Sequence, residues 1–477
     1  MITSDSLERP YSTRLRTALV LTGTGTAGAY HAGVLRALHE AGVRIDLVAG
    51  RGIGAIGAMF AAVDGGQRLW DREGLWKHKS IADAYRWRAP LRIAGWALVV
   101  AAGLLAVPLL LFGVGVIVAL AGVLLSLVGL TTASTAVTSA YATSLDALFA
   151  PPALPTVIPR LIVLCLLVAI GALAGGLAID GWRAPARRRV KHGAVWRLLG
   201  APFSNALLLD RATAELWNLI RGAAAIAPPP RQDLGRRYID LLGENLGQPG
   251  FRELLLVAHD MDARRDVLFA LLGDGHRQRF FGQAGRPVPE GGRTAEAFDL
   301  AGIGREHVMD ALASNLCVPI ATDPHLLRFA AEGPWRGETH RVCDRPGALA
   351  RVLEEVAIAG AEQVIVLSAA PPPGRPHELS AGRADLRGRA AEQLFAFEAA
   401  DLRDALERVT GRFAGLFVVR PAHNPLGLLD FDGVYDERSD RRYTVSELVD
   451  RGYEDAYHQF IEPVVAASGE RIASVQS

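Results

Sequence analysis

Short apolar runs alternate with polar, glycine-marked turns at both ends of the chain. Thr17–Thr22 (TALVLT) is apolar and rich in β-prone residues, which predicts a strand. The glycine-rich turn Gly23–Gly28 (GTGTAG) follows it. Tyr30–Ala41 then places Val34, Leu35 and Leu38 on one helical face. Ile45–Ala49 predicts a second strand. It ends in Gly50-Arg51-Gly52-Ile53-Gly54 and runs into a small-residue helix over Ala55–Val63. Phe251–His259 (FRELLLVAH) and Gln363–Ser368 (QVIVLS) predict further strands, each followed by a polar turn. Strands alternating with helices predict an α/β fold with a parallel, doubly wound sheet. Pro371–Pro376 and the Arg/Gly-rich Ser380–Arg389 predict a surface loop.

The middle of the chain breaks this rhythm. No charged residue lies between Arg92 and Asp146, and Ile93–Leu130 is almost wholly apolar. A second uncharged run, Leu161–Ile179, lies between Arg160 and Asp180. A membrane-spanning helix needs ~20 apolar residues to cross a ~30 Å hydrocarbon core. The second run fits one crossing. The first, as one helix, would be roughly 57 Å long. It is therefore either one long helix emerging from the bilayer or a tight hairpin near Pro108–Gly115. Neither run shows the polar face of a soluble helix.

Charge sets an expected topology. Lys77, Lys79, Arg86, Arg88 and Arg92 precede the block, and Arg183, Arg187, Arg188, Arg189 and Lys191 follow it. Basic flanks favour the cytoplasmic face, so the number of crossings is expected to be even, and two is favoured. Four would require Thr131–Ala150 to cross, and its Thr, Ser and Asp146 make it a poor span. The first residues, MITSDSLERPYSTRLR, have no apolar signal region. The expectation is a multi-pass membrane protein with its α/β part on the cytoplasmic side. The organisation read from this is a polar tail over 1–16 and a first α/β piece over 17–88. A helical transmembrane insertion covers 89–182, a second α/β piece 183–370, and a loop with a C-terminal helical extension 371–477.

Composition narrows the chemistry. The 477 residues carry 51 Lys+Arg against 50 Asp+Glu, a net charge of +1, which gives no footprint for nucleic acid. Cys165, Cys317 and Cys343 are too far apart for a disulfide framework or a Cys-x-x-Cys metal site, and a reducing compartment is the simplest reading. His259, Asp260 and Asp262 cluster after a predicted strand, and His340 stands three residues before Cys343. Neither group has a second set of ligands, so no metal and no cofactor is expected.

The glycine-rich turn has two physical readings. Backbone N–H groups at a strand-to-helix turn, together with the positive helix end, favour an anion. Gly23, Gly25 and Gly28 fit the dinucleotide spacing, with Asp46 at about the distance of a ribose ligand. Asp46 opens the second strand, however, where a ribose-binding acid should close it. Taken with the sharp turn at Gly52, the same segment has the layout of an oxyanion loop followed by a nucleophile elbow.

In that second form the sequence resembles the patatin-like phospholipases. LTGTGTAGAYHAGVLRAL matches their oxyanion loop, and VAGRGIGAI falls where they carry G-x-S-x-G. DALASNLCVP, HRVCDRPGAL and AGAEQVIVLSAA follow in the family's order. The resemblance covers Thr17 to about Ala62 and about Arg252 to Ala370. It implies a patatin-like, mostly parallel sheet sandwiched by helices and interrupted by the helical insertion. It also implies a Ser/Asp dyad acting on lipid acyl esters.

Here the dyad is incomplete. The nucleophile position is Gly52, which has no side chain to acylate. The usual Arg/Lys of the oxyanion loop is Ala27, and the dyad Asp maps to Asp344, followed by Arg345-Pro346 rather than Gly-Gly. Asp432-Gly433 lies on the wrong side of the QVIVLS strand for that role. Thr24, Thr26, Ser314, Cys317 and Cys343 stand outside any elbow. The resemblance therefore implies a membrane-anchored pseudo-hydrolase that binds lipid or a protein partner. Gly23, Thr24, Gly25, Thr26, Ala27 and Gly28 would hold an anionic lipid or fatty acid, with Arg51 as counter-charge. An active lipid acyl hydrolase using Asp344 with a non-standard nucleophile is one alternative. A dinucleotide-binding membrane protein using Gly23–Gly28 is another.

Overall fold

The computed structural model describes residues 11–183, 200–282, 296–332, 335, 337–370, 386–421, 429, 431, 434–435 and 442–466. The chain divides into two units. One comprises residues 1–86 and 203–477, and the other, residues 87–202, is inserted within it.

The first unit is built on a mostly parallel sheet. Its strands are β1 (Thr17–Leu21), β2 (Leu47–Arg51), β3 (Glu253–Asp260), β4 (Arg265–Leu271), β5 (Glu296–Asp299), β6 (His325–Arg328), β7 (Thr339–Cys343), β8 (Gln363–Leu367) and β9 (Gly415–Val419). The main order is β9-β8-β1-β2-β3-β4-β5. β9, β8, β1, β2 and β3 run parallel, β4 is antiparallel to β3, and β5 is parallel to β4. β7 pairs antiparallel with the end of β3 and with β6.

β1, β2 and β8 are buried along their whole length. Their side chains divide with period two between two cores. Leu19, Leu21, Val48, Leu254, Leu256, Ile365 and Leu367 face one. Ala18, Val20, Leu47, Ala49, Leu255, Val364 and Val366 face the other. Each fully buried aliphatic side chain contributes about 1.5–3 kcal/mol, so these strands are uniformly apolar rather than alternating. The first core is closed by α1 (Ala27–Glu40), α2 (Gly54–Ala62), α6 (Ala206–Ile220), α7 (Arg231–Glu244), α9 (Val308–Asn315) and α12 (Val445–Ala456). The second is closed by α8 (Asp274–Gly282), α10 (Leu349–Ile358) and α11 (Leu386–Arg408). This is the patatin-type, doubly wound α/β sandwich expected from the sequence.

Two elements depart from the sequence reading. The 371–477 segment was expected to be loop and helix, yet it supplies β9, paired in register along β8. GLFVV is only five residues long and lacks a glycine-rich turn after it, so nothing local marks it as part of the sheet. β4 was not foreseen either; it returns from β3 through the short Met261–Arg264 turn.

The inserted unit holds α3 (Ala89–Leu127), α4 (Thr131–Phe149) and α5 (Leu154–Arg183). α3 continues without a turn through Pro108, so of the two expected forms the long helix is observed and the hairpin at Pro108–Gly115 is not. Ala89–Leu127 and Leu154–Ile179 are long and apolar enough to cross a membrane, and α4 is not among such helices. Ala94, Ala97 and Ala169 are buried between α3 and α5. On α4, Tyr141 Oη donates to Leu111 O at 2.5 Å and Ser134 Oγ to Gly122 O at 2.8 Å. Elsewhere α3 presents large apolar side chains outward, Leu109, Phe112, Ile117 and Leu127 among them. The basic run Arg187–Lys191 lies outside the described residues, as do Asp432 and Gly433.

Candidate functional site

The parallel strands place both glycine turns at one edge of the sheet. β1 ends at Leu21 and the chain reaches α1 through Thr22–Thr26, where Gly23 (φ +118°) and Gly25 (φ +60°) adopt conformations that L side chains rarely take. β2 ends at Arg51, and Gly52 (φ +57°) makes the turn into α2. The helix packs hard against the sheet: a Cβ on Gly54 would lie 2.2 Å from Leu21 O. β7 brings Asp344 to the same edge, because Cys343 pairs with His259 at the end of β3.

The sequence-predicted residues Gly23, Thr24, Ala27, Arg51, Gly52 and Asp344 meet here. A Cβ on Gly23 would lie 2.9 Å from Ala27 Cβ. A Cβ on Gly52 would lie 2.8 Å from Asp344 Oδ2 and 2.3 Å from Gly23 O. Arg51 Nη1 donates to both oxygens of Asp344 at 2.9 Å. Arg51 Nη2 donates to Glu398 Oε1 at 2.9 Å, and Thr24 Oγ1 donates to the same oxygen at 2.9 Å. Asp344 N donates to Cys317 O at 3.1 Å. Arg51, Asp344 and Glu398 are all buried.

Several backbone donors around the elbow are engaged. The N–H of the residue after the nucleophile belongs to an oxyanion hole, yet Ile53 N donates to Gly23 O at 3.0 Å. Gly52 N donates to Asn315 Oδ1 at 2.8 Å. In the glycine-rich turn, Ala27, Gly28 and Ala29 N–H groups donate back to Thr24, Gly25 and Thr26 carbonyls at 3.4, 3.2 and 3.0 Å. Thr26 is buried at the start of α1, and Trp76 lies over Gly28 so closely that a Cβ there would be 2.1 Å from the ring.

Electrostatics fit a closed ionic cluster. Burial alone would lower Arg51, but the two carboxylates outweigh it and hold the guanidinium above its ordinary value. Asp344 is raised: burial dominates, Arg51 opposes it, and the Glu398 carboxylate adds to it. One guanidinium shared between two carboxylates cannot neutralise both. His31, on α1 beside Gly23, is fully buried, and neither ring nitrogen has a hydrogen-bond partner among the described residues. Burial holds it down to about 3, and the Arg51 charge acts in the same direction.

The other candidates are absorbed into structure. Ser314 Oγ donates to Asp310 O at 2.7 Å. Burial raises the Cys317 thiol to about 11 and the Cys343 thiol to about 12, so neither is a thiolate near neutrality. All three cysteines are free. Asp46 accepts from Thr17 N at 2.9 Å and pairs with Arg44 at the start of β2. With parallel strands, that is the edge opposite the glycine-rich turn, roughly 15 Å away at ~3.3 Å per residue, and Asp46 cannot meet a ribose whose phosphates sit at Gly23–Gly28. His259 bonds Asp266 at 2.9 Å and His340 bonds Asp260 at 2.5 Å, while Asp262 pairs with Arg341. No group of three or more His, Cys, Asp or Glu is placed to hold a metal ion among the described residues. Glu398 and Asn315 carry no sequence signal of their role; Glu398 lies on a long amphipathic helix, and Asn315 within DALASN has no fixed partner spacing.

The family described as "Patatin-like phospholipase" matches residues 19–328. That range contains both glycine turns and α9 and stops before Asp344. The proteins named "Patatin-like phospholipase domain-containing protein 6" from Mus musculus, Pongo abelii and Homo sapiens are each 50% identical over 60 residues. Those residues are 12% of this chain and 4% of each relative's length. A crystal structure of VipD from Legionella pneumophila aligns with 94% of this chain and 67% of its own, at 11% identity and a TM-score of 0.27.

Proposed function

The chain belongs to the patatin-like phospholipase family, and from that premise we propose that it is a membrane-anchored pseudo-hydrolase: a lipid-contacting scaffold that keeps the fold and has given up ester cleavage. The observation that carries this reading is the elbow. Gly52 has no nucleophilic atom, and the adjoining Ile53 N–H is taken by Gly23 O at 3.0 Å. Acyl transfer needs both a nucleophile and open donors for the developing oxyanion. Asp344, the dyad position, is held by Arg51 rather than directed at a hydroxyl. In this reading Gly23–Gly28 and Arg51 hold the shape of the site, and lipid contact falls to the two apolar helices. Their basic flanks favour a cytoplasmic α/β unit.

The test is hydrolysis of short-chain esters and phospholipids by the detergent-purified protein, beside Asp344→Asn. The expected result is no turnover by either. Turnover that Asp344→Asn abolishes, with the fold intact, overturns the reading and establishes a non-standard nucleophile near Asp344.

A further inference from the structure

One loop of the α/β unit combines features that its own packing does not explain. Ile320 has φ +68°, a left-handed backbone that a β-branched residue rarely adopts. It is also 92% exposed. Glycine is the default residue for such a turn; here a large apolar side chain is held out into solvent instead.

The surrounding backbone fixes that presentation. Ala321 N donates to Pro319 O at 2.8 Å and Thr322 N to Val318 O at 3.0 Å. The loop is also tied to the two points where the inserted helices leave and rejoin the α/β unit. Tyr85 Oη donates to Leu316 O at 2.8 Å. Phe203 N donates to Ala321 O at 2.9 Å, and Phe203 bridges Thr322. Tyr85 precedes the start of α3 at Ala89 by four residues, at most about 14 Å of extended chain. Between them lie Arg86, half-exposed Trp87 and Arg88, residue types that settle at the headgroup level of a bilayer. The loop that displays Ile320 is thus tied to the two chain segments that lead into and out of the inserted helices.

We propose that Ile320 is a lipid anchor that inserts into the surface of the bilayer that α3 enters. The occupant is the acyl layer of that same membrane, so the proposal rests on the membrane reading of α3 and α5. Burial in lipid removes the apolar exposure of Ile320 and gives a reason for a side chain at a glycine-type position. The loop also reaches the candidate site: Cys317 O accepts from Asp344 N, and Asn315, at the end of α9, accepts from Gly52 N.

The experiment uses the full chain in phosphatidylcholine nanodiscs, in a Cys165→Ala background. An environment-sensitive fluorophore is attached at Ile320→Cys, at Leu110→Cys on α3, or at Arg44→Cys on the opposite edge of the sheet. Quenching is measured with phosphatidylcholine spin-labelled high on the acyl chain. The expected result is blue-shifted emission and strong quenching at 320 and 110, and neither at 44. Quenching at 110 with water-like emission at 320 overturns the anchor and leaves the membrane reading standing. A blue shift at 320 without quenching also overturns it, because protein rather than lipid then covers the residue. No quenching at any position overturns the membrane reading itself.

Discussion

Arg51 and Asp344 are joined by two 2.9 Å hydrogen bonds immediately beside the backbone of Gly52. Arg51 also serves Glu398, whose carboxylate accepts from Thr24 in the glycine-rich turn. Four elements, the β1–α1 turn, β2, the segment after β7, and α11, are therefore connected through one guanidinium. Asp344, read from the sequence as the dyad position, is here a partner in a buried ion cluster. The side-chain-free Gly52, the Ile53 N–H bonded to Gly23 O and the Asp344 carboxylate held by Arg51 together support the proposed loss of ester cleavage.

Removing the guanidinium should expose how much the cluster matters. Arg51→Met leaves two carboxylates buried without a counter-charge, and breaking such a pair costs about 3–5 kcal/mol. The triple variant Arg51→Met/Asp344→Asn/Glu398→Gln should recover a large part of that loss, since no unpaired charge then remains. Urea unfolding midpoints of the parent, the single and the triple variant measure this. Equal loss in single and triple variants would mean that packing, not charge, is what Arg51 supplies.

Restoring the missing hydroxyl should not restore chemistry. In Gly52→Ser the new Cβ falls 2.3 Å from Gly23 O and 2.8 Å from Asp344 Oδ2, distances at which the loop must move. The expected outcome is a loss of about 1–3 kcal/mol and no ester turnover. Measurable hydrolysis by Gly52→Ser would show that the turn reopens readily and that only the side chain was missing.

Most of the fold is legible in the sequence because its signals are local. The strand, glycine turn and helix at Thr17–Glu40 and again at Leu47–Ala62 lie within a few residues of where periodicity and glycine spacing put them. Motif order singled out Asp344, which lies beside Gly52 and Arg51. Glu398 had no such signal: it meets Thr24 from 374 positions away, and an acidic residue on an amphipathic helix reads as a solvated one. Arg51 was read as a free counter-charge for a ligand. A single sequence cannot reveal that two acids from distant elements already claim it, because that pairing is set by helix packing rather than by spacing. The same limit hid β9, whose sheet membership depends on β8 offering an edge.

His31 predicts an acid-dependent loss of stability. Its folded-state value is about 3, whereas the unfolded chain takes up the proton near ~6.5. Between those values the unfolded state binds more protons, so the stability that neutral His31 permits is complete above ~6.5 and declines as pH falls. The slope from this group approaches about 1.4 kcal/mol per pH unit. Unfolding midpoints of the parent and His31→Gln between pH 7 and pH 4.5 provide the comparison. His31→Gln should show the shallower decline, and identical slopes would mean that the buried ring accepts a proton in the folded state.

The contact between α1 and α12 sets a test of packing independent of the site. A Cβ on Gly33 would lie 1.8 Å from Val449 O, and one on Gly452 would lie 2.1 Å from Tyr30 O. The helices can approach this closely only because both positions lack a side chain, and α12 is fixed at its start by the Thr444–Glu447 capping box. Gly33→Ala forces backbone apart from backbone, which no rotamer change relieves, so a loss at or above the about 1–3 kcal/mol of ordinary overpacking is expected. Gly243 on α7 is the internal comparison, with nothing within 4 Å of its notional Cβ. There Gly243→Ala should be neutral or gain up to about 1 kcal/mol from helix propensity. Thermal melts of the two variants should therefore move in opposite directions or differ by several degrees. Equal shifts would mean that α1 and α12 are not in backbone contact, and that α12 does not pin the helix that follows the glycine-rich turn.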